Sequence, residues 1–215
     1  IERTQPDGIL IRNLGGIMWF EENSTLPLIG DFSLNVANPL TAQLLMERVR
    51  FEFLTISYDL NISQVLDLLQ SAPADWFELT LHQHIPMFHM EHCVFCAFMT
   101  KGTSYKDCGR PCEKHQVQLR DRVGQLHTLH ADVGCRNTLF NGRAQSGARF
   151  FKELKDARLS RYRLEFLTET YKEARRTLQA YQALVDGRES VSDTMRQIEA
   201  TERLGVTEGT LVADR

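Results

Sequence analysis

Five cysteines and seven histidines occur in this 215-residue chain, and all of them lie between His82 and Cys135. Within that block the thiols read Cys93-Val-Phe-Cys96, then eleven residues, then Cys108-Gly-Arg-Pro-Cys112, and finally Cys135. Thiolates are soft donors, and four of them in close groups suit a tetrahedral zinc ion or an iron–sulfur cluster. Cys108 and Cys112 can serve one centre from a tight turn, since Gly109 and Pro111 between them favour a sharp change of direction. Cys135 reaches back to that centre after a hairpin-like stretch over residues 117–132. One thiol of the five is then spare, and Cys93 and Cys96 compete for the remaining position. The spacing leaves zinc, an iron–sulfur cluster and unliganded thiols all open.

The histidines carry less. His82 and His84 alternate with Leu81 and Ile85, which sets both on one face of an extended strand, lining a pocket or facing an interior. His89 and His92 flank the first cysteine, where they can donate to a metal's ligands. His115, His127 and His130 fall in a basic, polar stretch, where a solvated or hydrogen-bonded ring is the default. Glu78 and Glu91 bracket the region as acids. No Ser/His/Asp order and no His-Glu-x-x-His helix occurs, so no catalytic residue is assigned and a hydrolase has no motif here.

The elements that must position this block alternate in type. Residues 8–14 and 28–35 read as buried strands. Asn38 and Pro39 open a helix to about Arg48, with Leu40, Leu44 and Leu45 on one face. Residues 51–58 form the next strand. Asn61 or Ser63 caps a helix carrying Val65, Leu66, Leu68 and Leu69, and residues 76–81 form a strand extended to Met87. After the cysteines, residues 142–157 read as helix, 161–167 as strand, and 171–185 as a long helix stopped at Gly187. Strand and helix in this alternation mean βα units and a parallel sheet.

The fold expected is α/β: the later part of a TIM-barrel-like (β/α) domain with a cysteine-rich insertion. An open doubly wound sheet is the alternative. Expected divisions are βα units over residues 1–87, a cluster-binding segment over 88–141, closing βα units over 142–187, and a C-terminal helix with a partly ordered tail over 188–215. No G-x-G-x-x-G follows a strand, which leaves dinucleotide binding without support. In either architecture ligands sit beyond the carboxyl ends of the strands, where the cysteine block begins. The chain opens on Ile1 rather than Met, so it is expected to be part of a longer polypeptide.

Composition is ordinary, with 42% hydrophobic and 25% charged residues, and no apolar run reaches the length of a membrane span. An odd number of tightly grouped cysteines argues against a disulfide framework and for a reducing cytoplasm. The net charge of −3 conceals an asymmetry: residues 1–100 sum to −8, 101–163 to +8, and 164–215 to −3. The basic segment contains Arg120, Arg122, Arg136 and Arg143, which are either binders of phosphate or carboxylate groups or plain surface charge.

Four stretches carry a resemblance. Pro86-Met-Phe-His-Met-Glu-His-Cys93, Cys108-Gly-Arg-Pro-Cys112, Leu119-Arg-Asp-Arg-Val-Gly124 and Asp132-Val-Gly-Cys-Arg-Asn-Thr-Leu-Phe-Asn141 resemble the collagenase-like peptidase family U32. The likeness runs from about Gly8 to Gly187, with its specific motifs in residues 86–141. It implies a TIM-barrel-like domain and a [4Fe–4S] cluster on four cysteines, with zinc as the alternative. Cys93, Cys108, Cys112 and Cys135 match the ligand positions. Cys96 departs from the family pattern and is either spare or an alternative ligand. The resemblance implies two competing activities. Some members are described as proteases. Others take part in oxygen-independent hydroxylation of ubiquinone precursors or of RNA bases (5-hydroxycytidine in ribosomal RNA, 5-hydroxyuridine in transfer RNA), with prephenate as hydroxyl source in some. Expected partners are therefore RNA, contacted through Arg120, Arg122 and Arg136, or a second subunit that a non-catalytic cluster protein would serve.

Overall fold

The computed structural model describes residues 4–202 and 204–212. Strands and helices alternate at the start: β1 (Ile9–Ile11), α1 (Leu14–Asn23), β2 (Leu28–Gly30), α2 (Pro39–Arg48), β3 (Phe51–Thr55), α3 (Ile62–Ser71) and β4 (Phe77–Gln83). β1 to β4 pair in chain order and all run parallel, each returning to the same end of the sheet through a helix. Their registers set Ile9 beside Leu28, Leu28 beside Phe51, and Leu54 beside Phe77. These residues are apolar because helices shield the sheet, and Leu28, Leu54 and Phe77 are fully buried in one continuous core.

The chain then leaves the sheet. β5 (Pro86–Met90), α4 (Val94–Met99), β6 (Val117–Arg120), β7 (Leu126–Ala131) and β8 (Asn137–Phe140) follow. The four strands form a separate antiparallel sheet in the order β5-β8-β7-β6, with Phe95, Leu129 and Leu139 as a small core of their own. β9 (Ala144–Ser146) returns to the first sheet antiparallel to the end of β4, setting Ser146 opposite His82. Next come α5 (Phe151–Asp156), β10 (Arg161–Leu164), α6 (Tyr171–Val185), α7 (Val191–Thr201) and β11 (Val206–Thr207). β10 lies parallel to β4 and β11 parallel to β9, completing a seven-stranded sheet.

Local chemistry explains the helix limits. Asn38 Oδ1 accepts the Thr41 N–H at 2.9 Å, and Pro39 opens α2. Asn61 and Gln64 form a reciprocal capping box at α3, and Thr170 with Glu173 does the same at α6. On α3 Ile62, Val65, Leu68 and Leu69 are buried, at about 1.5–3 kcal/mol for each fully buried aliphatic side chain. Gly187, at φ 71°, ends the stretch after α6 in a conformation that favours glycine.

Several sequence expectations are corrected. Residues 8–14 are strand only to Ile11, and Leu14 opens α1, where Asn13 Oδ1 caps the Gly16 N–H at 2.8 Å. The strand expected over residues 28–35 stops at Gly30 and gives way to a 3₁₀ turn at Phe32–Leu34. Leu40 and Leu44 of α2 face solvent, since the helix packs through Ala42, with Leu45 and Met46 partly covered. Residues 142–157 do not form one helix: β9 occupies their start because Gln145 and Ser146 pair with β4. The expected tail supplies β11, held where Gln145 Oε1 accepts the Thr210 N–H at 2.9 Å. Residues 213–215 of that tail lie outside the described residues.

Candidate functional site

The carboxyl ends of the parallel strands carry charge. Arg12 follows β1, Asp31 follows β2, His84 lies just beyond β4, and Glu165 follows β10. Together they form one wall of a cavity of about 300 Å³. The antiparallel sheet forms the facing wall through His89 of β5, His130 of β7, and Thr138 and Phe140 of β8. Asp31, which is buried, accepts from Arg12 Nε at 3.1 Å and from Arg163 Nη1 at 2.7 Å. Arg163 also reaches Glu78 at 2.8 Å and Glu165 at 3.3 Å. Burial pushes the Glu165 carboxyl above its ordinary value, and the Arg163 charge only partly offsets it. A carboxyl in that state can both give and take a proton at the cavity wall.

The thiols sit on the same antiparallel sheet. Met90 at the end of β5 pairs with Asn137 at the start of β8. The chain leaving toward Cys93 and the chain arriving from Cys135 therefore share one end of that pair. Cys93 caps α4, its Sγ accepting the Cys96 N–H at 3.5 Å. Asn137 is fully buried: its Oδ1 accepts the Val94 N–H at 2.6 Å, and its Nδ2 lies 4.0 Å from Cys93 Sγ. Gly109 (φ 66°) and Arg110 (φ 52°) are consecutive left-handed residues that turn the chain between Cys108 and Cys112. Cys93 and Cys112 both pack against Phe95, Leu129 and Leu139. Burial, then the neighbouring Cys93 charge, with Glu113 and Cys108 adding to them, push the Cys112 thiol up.

Cys135 is exposed at φ 61°, next to Gly134 at φ 76°. Cys96 points elsewhere: its Sγ–H donates to the Gly102 carbonyl at 3.3 Å. Among the described residues no three thiol sulfurs come within 4.8 Å of one another. Cys93 opens α4, Cys108 and Cys112 flank one turn, and Cys135 lies just before β8.

The remaining sequence candidates scatter. Arg120 and Arg122 lie at the turn end of the β6–β7 hairpin and Arg136 at its far end, separated by the length of β7, roughly 17 Å at about 3.4 Å per residue. All three are exposed. His89 bonds Thr138 Oγ1 at 3.0 Å rather than a thiol, and His92 is exposed. His127, read as one of a polar group, is buried between Asp121 Oδ2 at 3.3 Å and the Gly142 N–H at 3.1 Å. Sequence reading missed Arg12, Asp31 and Glu165. The signal was present for Arg12 and Asp31, each a charged residue directly after a short apolar strand, at the end where ligands bind in parallel sheets. Glu165 follows the mixed strand Arg161–Leu164 and had no such signal.

The fold is a mixed α/β chain whose strand-end cavity is lined on its other side by the antiparallel sheet that adjoins the cysteines. Comparison with family models names the group: Peptidase family U32 matches residues 1–214, and the chain belongs to that family. Searches among curated proteins and among solved structures find no match. Among the described residues no helix is long and apolar enough to cross a membrane.

Proposed function

We propose that this chain is a cluster-bearing, TIM-barrel-like part of an enzyme that hydroxylates an RNA base or a small aromatic compound without dioxygen. Its [4Fe–4S] cluster would be held by Cys93, Cys108, Cys112 and Cys135. The observation that carries this reading is the cavity of about 300 Å³, walled on one side by strand ends and on the other by the sheet that bears the thiols. Its volume suits one aromatic ring system and lies at the small end of ligand sites.

The donor set fits the group. Four thiolates are the donor set of a [4Fe–4S] cluster and equally of a closed zinc site, and the family resemblance favours the cluster. When bound, the cluster supplies redox or Lewis-acid chemistry. The protein's own groups do the rest: Arg12 and His84 orient an anionic or hydrogen-bonding substrate, Glu165 exchanges a proton with it, and Phe140 offers an apolar face. Five parallel strands, β1 to β4 and β10, are present among the described residues.

A peptidase reading has less support, since among the described residues no cysteine sulfur hydrogen-bonds to a histidine. Anaerobic purification with iron counting and optical absorption tests the proposal. A brown protein with about four iron atoms per chain is expected, lost in Cys112→Ser and kept in Cys96→Ser. A colourless chain holding one zinc overturns it. Salt-sensitive RNA binding that weakens on neutralising Arg120, Arg122 and Arg136 would select RNA over a small substrate.

A further inference from the structure

Three buried side chains from distant parts of the chain meet behind the end of β4, away from the cysteines. One donor atom each of His82, Glu169 and Glu202 lies within 4.8 Å of the other two. The three side chains are 0%, 7% and 9% exposed. Two carboxylates so close and so little exposed repel each other unless a cation lies between them or one of them takes a proton. His84 answers part of that demand, its Nε2 standing 3.1 Å from Glu169 Oε1 while its Nδ1 is anchored 2.7 Å from the Asn141 carbonyl oxygen.

Glu202 has no such partner. Its Oε1 approaches His82 Nε2 to 3.4 Å without a hydrogen bond, and both atoms are buried with their hydrogen-bonding capacity unmet. Buried polar atoms are nearly always satisfied, so this pair requires an explanation. The His82 ring is held from its other side. Its Nδ1 lies 3.4 Å from the Tyr181 hydroxyl, which lies 2.7 Å from Ser146 Oγ. Metal-binding imidazoles are held in this manner, one nitrogen fixed by a neighbour and the other free to coordinate.

We propose that His82, Glu169 and Glu202 bind one divalent first-row transition-metal ion, separate from the thiol centre. One imidazole and two carboxylates suit Mn²⁺, Fe²⁺ or Zn²⁺ rather than a soft ion. The charges close as well, because two carboxylates neutralise a divalent ion and the neutral imidazole adds none. The site borders a second cavity, of about 500 Å³, lined by His84, Glu169 and Glu202 together with Gln118, Thr168 and Thr170. Three protein donors leave a coordination position facing that cavity, open to water or to a substrate carbonyl or carboxylate oxygen. His84 acts as a positioning residue that aims Glu169.

Mn²⁺ is the probe of choice, since carboxylate and imidazole bind it and thiolates do so poorly. Metal-free full-length chain is titrated with Mn²⁺ while the paramagnetic resonance of the free ion is followed. One equivalent should bind per chain, with at least tenfold weaker affinity in Glu169→Gln and in Glu202→Gln, both checked for folding by circular dichroism. Cys112→Ser should bind as the parent does, which separates this site from the cluster. The unmodified protein gives a second readout that needs no variant. Bound Mn²⁺ should broaden the amide resonances of Gln83, Gly142 and Thr168 before those of Gln43 and Leu44 on α2. Absence of saturable uptake, equal uptake by the Gln variants, or broadening centred on the thiol segment would each overturn the assignment.

Discussion

Replacing Arg163 with Gln removes the guanidinium that three carboxylates share at the floor of the strand-end cavity. Arg163 is 16% exposed and lies 2.7 Å from Asp31, 2.8 Å from Glu78 and 3.3 Å from Glu165. Breaking a buried ion pair by deleting one partner costs about 3–5 kcal/mol. Asp31 keeps Arg12 at 3.1 Å, and Glu78 keeps the Thr55 hydroxyl at 3.1 Å, so the lower end, about 3 kcal/mol, is expected. For a chain of this size that corresponds to a drop of roughly 6–12 °C in Tm. The sign of the pH dependence follows from the charges. Burial already raises the Glu165 carboxyl above its ordinary value, and Arg163 partly offsets it. Without the guanidinium that shift grows, so the variant is least handicapped at low pH and loses stability as pH rises through the raised value. Urea unfolding at about pH 7.5 and about pH 5 should show the full deficit at the first and a smaller one at the second. Arg163→Lys, which keeps the charge without the fork, should recover part of the loss. A variant within about 1 kcal/mol of the parent at the higher pH, or a deficit equal at both, would refute the reasoning.

A Cβ at Gly102 would sit 2.6 Å from Cys108 Cα and 2.7 Å from its backbone nitrogen, so Gly102→Ala should displace Cys108 and reduce retained iron while Tm falls by only a few degrees. Asn137→Asp keeps an acceptor for the Val94 N–H but loses the donor facing Cys93 Sγ; iron retention should fall, and unchanged retention would show that this amide does not support the thiol. In metal-free protein the His84–Glu169 pair predicts a bell-shaped advantage over Glu169→Gln. Burial raises the Glu169 carboxyl, but the His84 bond and backbone N–H groups outweigh it and hold it at about 2, while His84, despite burial, is raised above 6.5 by Glu169 and the Asn141 carbonyl. The Glu169 contribution is lost as pH falls below 4.5 toward about 2, and the His84 contribution as pH rises through its raised value, so the difference in urea midpoint should peak between 4.5 and 6.5. A difference flat across pH would count against the pair.

Much of the scaffold is legible in the sequence because short-range chemistry decides it. Asn38-Pro39, the Asn61/Gln64 pair and Gly187 mark helix ends through their own backbone preferences, and the structure places them there. α1 escaped because Gly15 and Gly16 and an almost wholly apolar run hide any helical period, and only the Asn13 cap gives it away. β9 and β11 are three and two residues long, and neither has a pattern of its own; long-range pairing makes them strands. The confinement of all five cysteines to one stretch was visible, since it is a property of the sequence itself. The partners of His82 and His84 were not, because Glu169 and Glu202 lie more than eighty residues away in a chain rich in acids.

The position of Glu202 has a consequence for how the molecule is made. A chain emerges from the ribosome with its N-terminus first, so β1 to β4, the thiol segment and β10 are all available before residue 202 appears. His82 and Glu202 are separated by 120 positions, and β11, which follows Glu202, docks on β9 only after Val206 and Thr207 have emerged. The scaffold and the thiol segment can therefore form before His82 meets Glu202. A nascent chain halted near Gly187 would present His82 without Glu202, so the pairing of these two side chains is a feature of the longer chain alone.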